Sequence, residues 1–412
     1  MNEKQQIARA RQLFHNKKKD PNFTYFNEKG VDHFITWFQA LEKTCCYCGA
    51  EEHKLRDLFT SGRLSSKRKR GRSLELERID SKTNLYTEEN CALACYLCNN
   101  HKSDVITKDE HKAYFAKPIR RYVEDLHRKQ GKVTDASTDF LYLADSLPKK
   151  HPMFYASMAR LLDESEIRHG LLPHTKDIWA RDYMPIQITA DLFVQFLYNP
   201  SYLQSAKWLK TISDTDGICA EIGIKLVKSN LKIDGGNVVR NANKAIMCDR
   251  VFSENPDVPE RQLISELREL LQVEQVVIIP THPQDFTGHA DGMVRFLNKD
   301  TVLINDLSKE KPEFQRTFRM ALHNAGLDWR EIPYNPYGNI KFSQANGIYI
   351  NYIQIKDVII LPTFGLAEDQ KTVNLFEELF PSYAVKTIDS NEIAEHGGIL
   401  NCISWNIKIK EG

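Results

Sequence analysis

The larger part of this chain repeats one pattern five times, and the repeat constrains the fold more than any other feature. Punctuation falls at Asp182, Asp234, Asp291, Gly347 and Gly397, at steps of 52, 57, 56 and 50 residues. After most of these anchors comes a β-branched run, a polar tip and a second run. Val238-Val239-Arg240 leads to Ala245-Ile246-Met247, Met293 to Phe296 leads to Thr301 to Ile304, and Ile348 to Ile353 leads to Val358 to Leu361. Polar tips between such runs are hairpin chemistry. One helical stretch intervenes per unit: Phe154 to Asp163, Ser205 to Ile212, Arg261 to Leu271, Glu313 to Ala325, and Asp369 to Leu379. In the third of these, Leu263, Ile264, Leu267, Leu270 and Leu271 share one face suited to packing on strands. A strand-rich unit backed by one helix cannot bury itself singly, whereas five closed into a ring can. The expectation is a five-unit α/β propeller with its anchors at one mouth; the alternative is an ordinary α/β layer fold.

At 412 residues the chain exceeds one ordinary core. Residues 1–133 hold 27 Lys and Arg against 18 Asp and Glu, while the remainder holds 29 against 37. A basic module suited to a polyanion therefore precedes an acidic one suited to a small cation. Apolar positions at helical spacing (Tyr114, Phe115, Ile119, Tyr122, Val123, Leu126) predict one amphipathic helix within 105–135, broken by Pro118 and followed by a polar linker at 130–135. This sets the expected domains at 1–133 and 134–412. The first residues have no apolar signal core, no run reaches membrane-spanning length, and six of nine cysteines crowd the first hundred residues. A reducing cytoplasm is the expected setting, with no membrane partner and the oligomeric state left open.

Cys45-x-x-Cys48 and Cys95-x-x-Cys98 present two sulfur pairs, and two such knuckles close a tetrahedral zinc site of structural type. Cys46 and Cys91 read as bystanders. The intervening Lys67-Arg68-Lys69-Arg70-Gly71-Arg72 is a basic loop able to track a phosphate backbone of DNA or RNA. With Leu76-Glu77-Arg78-Ile79-Asp80-Ser81, Tyr86 to Asn90, and Cys95-Tyr96-Leu97-Cys98-Asn99-Asn100-His101-Lys102, residues 40–110 resemble the zinc-stapled HNH endonuclease family. The resemblance implies a ββα unit binding Mg2+ or Mn2+, with Glu77 at the acidic place, Asn90 at the central Asn, and Asn99 with Lys102 at the helix. Arg78 stands where that family has its His, and arginine cannot act as a general base at neutral pH. Either Asp80 or His101 takes the proton, or the module only binds nucleic acid.

The anchors also gather chemistry. Trp179-Ala180-Arg181-Asp182, Asp234-Gly235-Gly236-Asn237, Gly288-His289-Ala290-Asp291 and Asn401-Cys402 bring a thiol, an imidazole and carboxylates within reach of one mouth. Carboxylates grip the N–H edges of a guanidinium, a thiolate adds to its carbon and an imidazole moves protons. In Asp234-Gly235-Gly236-Asn237 the paired glycines read as a backbone turn that aims strands. Cys219 and Cys248 read as core.

These four ordered clusters resemble the agmatine deiminase and bacterial-type peptidylarginine deiminase family over residues 138–408, within the pentein-like five-bladed propellers. That resemblance implies Cys402 as nucleophile, His289 as general acid/base, Asp182 and Asp291 as guanidinium ligands, and Trp179 beside the substrate's alkyl stem. The implied reaction is a cofactor-free hydrolysis of agmatine, an arginine peptide or another guanidino compound to a ureido product and ammonia; with agmatine it belongs to putrescine biosynthesis. Agmatine-type members tend to carry His before the nucleophile, where this chain has Asn401. Arg181, Arg240 and Arg295 either read a carboxylate on the substrate or make structural ion pairs. Two other readings stay open: an amidinotransferase, and a nucleic-acid endonuclease or binder whose propeller senses a guanidino ligand.

Overall fold

A computed structural model describes residues 3–60, 63–66, 70–128, 132–341 and 343–409. Lys67, Arg68 and Lys69 of the expected basic loop, and Gln130 and Gly131 of the expected linker, lie outside them. The chain forms two compact units, residues 1–130 and 131–412. Lys132 and Val133 already belong to the second: Lys132 bridges Thr189, and the Val133 N–H donates to the Ile188 carbonyl at 2.9 Å.

The first unit packs helices Glu3–Lys17, Thr24–Lys29, Val31–Ala40 and Glu52–Thr60 on a core where Phe14, Phe23, Phe26, Phe34 and Phe38 are all buried. Each such ring withheld from water contributes roughly 1.5–3 kcal/mol. Strands β1 (Glu75–Arg78) and β2 (Cys91–Ala94) pair antiparallel and lead into helix Tyr96–Lys102, the expected ββα order. The Cys45–Cys48 knuckle closes through Gly49, whose φ of +71° lies in the left-handed region and whose N–H donates to the Cys45 carbonyl at 2.8 Å. Pro118 does not break the following helix. Residues Lys108–His111 are α-helical, Lys112–Ala116 widen to a π-helical turn, and Lys117–Arg128 continue. The wider turn directly before Pro118 takes up the missing N–H without ending the element. Tyr114 and Tyr122, expected on the packed face, are exposed.

The second unit is built of five three-stranded sheets with one plan: an inner strand pairs antiparallel with a middle strand, and the middle strand pairs parallel with an outer one. The first sheet contains β3 (Phe140–Ala144) and β4 (Arg168–Leu172); the next has β5 (Ile186–Thr189), β6 (Leu192–Leu197) and β7 (Leu226–Lys232). Then follow β8 (Val239–Arg240), β9 (Lys244–Cys248) and β10 (Gln275–Ile279), and β11 (Val294–Phe296), β12 (Thr301–Asn305) and β13 (Asp328–Ile332). The last complete set is β14 (Ile353–Ile355), β15 (Val358–Thr363) and β16 (Ala384–Asp389). Strand β17 (Ser404–Ile407) supplies the missing inner strand of the first sheet, pairing Ser404 with Leu143 through Ile407 with Phe140. The ring closes because the last strand of the chain completes the first sheet. The middle strands are the most apolar segments, with Ile246, Ile304 and Ile360 fully buried, as strands covered on both faces require.

A helix joins middle to outer strand in each unit, as a parallel pairing demands. Four of the five expected helices are in place: Pro152–Glu164, Glu260–Leu270, Pro312–Asn324 and Glu368–Leu379. On the second of these Leu263 and Leu267, with Leu271 just beyond its end, are all buried, the i, i+4, i+8 stripe read from the sequence. Two expectations need correction. The Ser205–Ile212 stretch is helical only over Ala206–Leu209; the packing helix is Thr215–Glu221, capped when the Asp214 side chain accepts from the Gly217 N–H. Ile348–Tyr352 is not strand, because the chain turns there to deliver Asn351 to the mouth before β14 begins.

Candidate active site

Each inner strand is preceded by a tight turn or a single helical turn, and each of these contributes one or two polar side chains to the same place. Asp182 comes from Ala180–Tyr183 before β5, and Asp234 immediately precedes the turn Gly235–Asn237 before β8. His289 and Asp291 flank Ala290 before β11, Asn351 precedes β14, and Cys402 lies in Leu400–Ile403 before β17. Hydrogen bonds run from unit to unit around the mouth and return to the start. The Gly236 N–H donates to Asp182 Oδ1 at 3.1 Å, and His289 Nε2 lies 2.9 Å from Asp234 Oδ2. Asn351 Nδ2 donates to the Asp291 carbonyl at 3.4 Å, while Asn351 Oδ1 accepts from the Asn401 N–H at 3.0 Å and the Cys402 N–H at 3.3 Å. Arg181 Nε closes the circuit on the Asn401 carbonyl at 3.4 Å.

Two carboxylates flank one imidazole in this buried setting, and a third, Asp291, follows two residues along the chain. His289 Nδ1 lies 3.5 Å from Asp182 Oδ1, and Asp234 also accepts the Tyr202 hydroxyl at 2.6 Å. Burial by itself would lower the His289 pKa, but Asp182, Asp234 and Asp291 outweigh it and raise it to about 10. Asp182 is pushed up to about 7, by burial first and then by Asp234 and Asp291, against the pull of His289 and the Gly236 N–H. The Cys402 thiol is also pushed well up, by burial first and then by Asp291 and Asp182. Its sulfur lies 3.9 Å from Asp291 Oδ2, which the Asn401 side-chain amide fixes at 2.6 Å. Both shifts favour the protonated form, of the thiol and of the imidazole, at neutral pH. The site is poised for a cation.

Cys402, His289 and Asp291 line one cavity of about 400 Å3, within the range of small-molecule sites. Its walls include Phe286, Tyr334, Tyr337 and Lys341. Asp182 stands behind His289 and is not among the lining residues, and neither is Trp179, expected beside the substrate stem. The Trp179 ring instead packs against Gly398, where an added Cβ would fall 2.4 Å from Cζ3 and 3.0 Å from Cys402 Cβ.

Asp234 and Asn351 are the functional candidates that sequence reasoning passed over. The Asp234-Gly235-Gly236-Asn237 stretch reads as a turn, yet neither glycine has a positive φ. Space is what they provide: a Cβ on Gly235 would meet the Arg181 carbonyl at 2.0 Å, and one on Gly236 would meet both Asp182 Oδ1 and His289 Nδ1 at 2.6 Å. Asn351 carries a sequence signal, since it lies 60 residues after Asp291 and 51 before Cys402, steps close to those that pick out Gly347 as the fourth anchor. Gly347 serves as a left-handed turn at φ +86° whose missing Cβ admits the Asn335 carbonyl.

In the first unit, Cys45, Cys48, Cys95 and Cys98 place four buried sulfurs within 4.8 Å of one another. The Cys48 and Cys95 sulfurs are 3.8 Å apart, the separation expected across a tetrahedron with Zn–S bonds of about 2.3 Å. This set can hold a metal such as zinc. The five residues expected as a nuclease site do not share one set of partners. Glu77, buried, pairs with the Lys102 ammonium at 3.3 Å and accepts the Tyr47 hydroxyl at 3.1 Å, and burial raises its pKa. Asn90 ties the β1–β2 loop, donating to the Asp80 and Leu85 carbonyls while its Oδ1 accepts the Asp80 N–H. Asn99 donates to Glu75, and His101 lies against Phe115 with ring centroids 4.4 Å apart. Glu77, Arg78 and Asn99 line one cleft; Asp80, Asn90 and His101 are not among its lining residues.

Residues 126–407 match the family of Porphyromonas-type peptidyl-arginine deiminases. A Photobacterium profundum protein provisionally named agmatine deiminase is 20% identical over 66% of this chain and 87% of its own length. Among solved structures, C. jejuni agmatine deiminase shares 17% identity at a TM-score of 0.57, covering 68% of this chain and 96% of its own. Agmatine deiminase of Enterococcus faecalis shares 13% at a TM-score of 0.54, with the same coverage. At these identities the structural likeness establishes the fold of the second unit.

Proposed function

We propose, for a chain that belongs to the Porphyromonas-type peptidyl-arginine deiminase family, that the second unit hydrolyses a guanidino compound to a ureido product and ammonia through Cys402. The observation that carries this reading is a buried thiol 3.9 Å from Asp291, in a site where Asp182 and Asp234 flank a single imidazole. Such a surplus of carboxylates suits a guanidinium, whose N–H edges they accept.

The charges order the steps. A guanidinium entering the cavity neutralises the carboxylates that hold the thiol protonated, so the substrate's own charge favours its ionisation. The thiol proton is released to solvent, where the product ammonia later takes it up, and the sulfur adds to the guanidinium carbon. His289, cationic near neutral pH, gives a proton to the departing nitrogen, and the C–N bond breaks to release ammonia. The imidazole, now neutral, takes a proton from water as the water's oxygen adds to the thiouronium carbon. The C–S bond then breaks, restoring the thiol and leaving the ureido group. Asp234 at Nε2 and Asp182 at Nδ1 hold the imidazole in place at the cavity wall. Asn351 presents the Cys402 backbone, and Asn401 orients Asp291.

The test is incubation of the full chain with agmatine, free arginine and an arginyl peptide, reading ureido product and ammonia, with Cys402→Ser as control. No ureido product from any of them, at any pH between 6 and 9, removes the proposal. Added glycine or ornithine that yields a new guanidino product instead assigns an amidinotransferase.

The first unit is read as a zinc-stapled module that binds nucleic acid. Support comes from the four convergent sulfurs and from a cleft lined by Arg9, Lys17, Arg70, Arg72 and Arg78. Nicking of plasmid DNA with Mg2+ or Mn2+ that is lost in Glu77→Gln extends this to an HNH-type nuclease. A gel-shift titration at two salt concentrations tests binding alone.

A further inference from the structure

We propose that the bore of the propeller, behind the catalytic cavity, is a binding site for a small monovalent inorganic anion of the chloride class. A second cavity of about 60 Å3 lies there, sharing Asp291 with the first and lined by Arg181, Arg240, Arg295 and Asp135. These three guanidiniums were candidates for reading the far end of the substrate, but none lines the cavity that holds Cys402.

Their partners leave one guanidinium donor unpaired. Arg295 is satisfied: it donates to Asp135 at 2.7 Å and to the Tyr352 carbonyl at 3.0 Å, and lies over the Tyr352 ring. Among the described residues Arg181 donates to neutral oxygens, the Asn401 carbonyl and the Asn406 side chain. Arg240 likewise gives Nη2 to the carbonyls of Val133 and Gln187. Its Nη1 is buried with no hydrogen-bond partner among the described residues. Three guanidiniums thus line a small cavity with the carboxylates Asp135 and Asp291, and the unmet need is the Arg240 Nη1 donor. An unpaired buried N–H of a charged group costs more than one of a neutral group. Burial lowers the Arg240 pKa to about 10, with Asp135 opposing, so it remains a cation at neutral pH.

One monovalent anion at Nη1 gives this donor a partner and sits among three guanidiniums. The space exceeds that needed for one water and is too small for a drug-sized ligand. Asp135, about one-third exposed, marks the side of the bore open to solvent. Asp291 lines this cavity as well as the catalytic one, and Arg181 holds the Asn401 carbonyl while the Asn401 side chain holds Asp291.

Bromide is the probe. Crystals of the full chain grown in bromide are expected to show an anomalous peak within hydrogen-bond distance of Arg240 Nη1. Thermal melting at constant ionic strength is expected to be higher in chloride or bromide than in gluconate by about 2–4 °C. Arg240→Met is expected to lose both the peak and the halide-specific shift. If that variant does not fold, the wild-type pair of measurements decides. No peak in the bore, equal melting in halide and gluconate, or a peak that survives at full height in Arg240→Met overturns the proposal.

Discussion

Replacing Gly236 by alanine probes the site with one methyl group. The backbone at Gly236 is not in the left-handed region, so alanine adopts its conformation without strain. The new Cβ would stand 2.6 Å from Asp182 Oδ1 and 2.6 Å from His289 Nδ1. Favourable contact begins at roughly 3.5 Å, so the two groups together must yield by roughly 1 Å. They are 3.5 Å apart in an ion pair, and the Gly236 N–H holds Asp182 at 3.1 Å, so movement of either disturbs the other. Overpacking of this kind costs about 1–3 kcal/mol of stability. Displacing an acid/base group by 1 Å lowers turnover about 100-fold. The assay is initial rate of ureido product with the wild type's preferred guanidino substrate, alongside urea denaturation. Gly292→Ala is the control for stability, since a Cβ there meets nothing within 4 Å and its melting should match wild type. Gly235→Ala should be worse than Gly236→Ala, because its Cβ meets backbone, the Arg181 carbonyl at 2.0 Å, which cannot swing away. A Gly236→Ala protein with turnover within twofold of wild type refutes the close-approach account of this turn.

Further outcomes follow from the same geometry. Asn351→Ala removes the acceptor of both the Asn401 and Cys402 N–H groups, and should cost about 1–3 kcal/mol in denaturant melts with a larger loss in kcat than in KM. Alkylation of Cys402 by neutral iodoacetamide should keep rising with pH beyond ~8.5, the ordinary thiol range, whereas a cationic haloacetamidine should react faster and with a lower apparent pKa; equal profiles contradict substrate-assisted ionisation. His289 titrates near 10 when folded and near ~6.5 when unfolded, so between those values the native state binds more protons. Its stabilisation is full below the unfolded value and is lost as pH rises through about 10; the fall in melting temperature from pH 7 to 10 should be smaller in His289→Gln. Cys48→Ser should lower the metal bound per chain measured by mass spectrometry and unfold the first unit, and retention of one zinc per chain would contradict the four-sulfur assignment.

What the sequence determined by itself was periodic or local in origin. The 50- to 57-residue repeat, the hairpin tips and the helical stripe through Leu263 and Leu267 depend on neighbours a few residues apart, and they specify five strand-rich units. The two Cys-x-x-Cys pairs and the order Asp182, His289, Asp291, Cys402 were legible for the same reason: their chemistry is carried by residue type and spacing. Tertiary structure decided what depends on approach between distant segments. That β17 completes the first sheet, that Gly235 and Gly236 leave room for Arg181, Asp182 and His289, and that Asn351 buckles the nucleophile turn all involve residues 50 or more positions apart. It also decided that Trp179 packs on Gly398 and that Arg240 faces the bore, because side-chain direction there is set by the neighbouring sheet. A repeat encodes what each unit is; only closing the ring brings their ends within hydrogen-bonding distance, and the site exists at that closure.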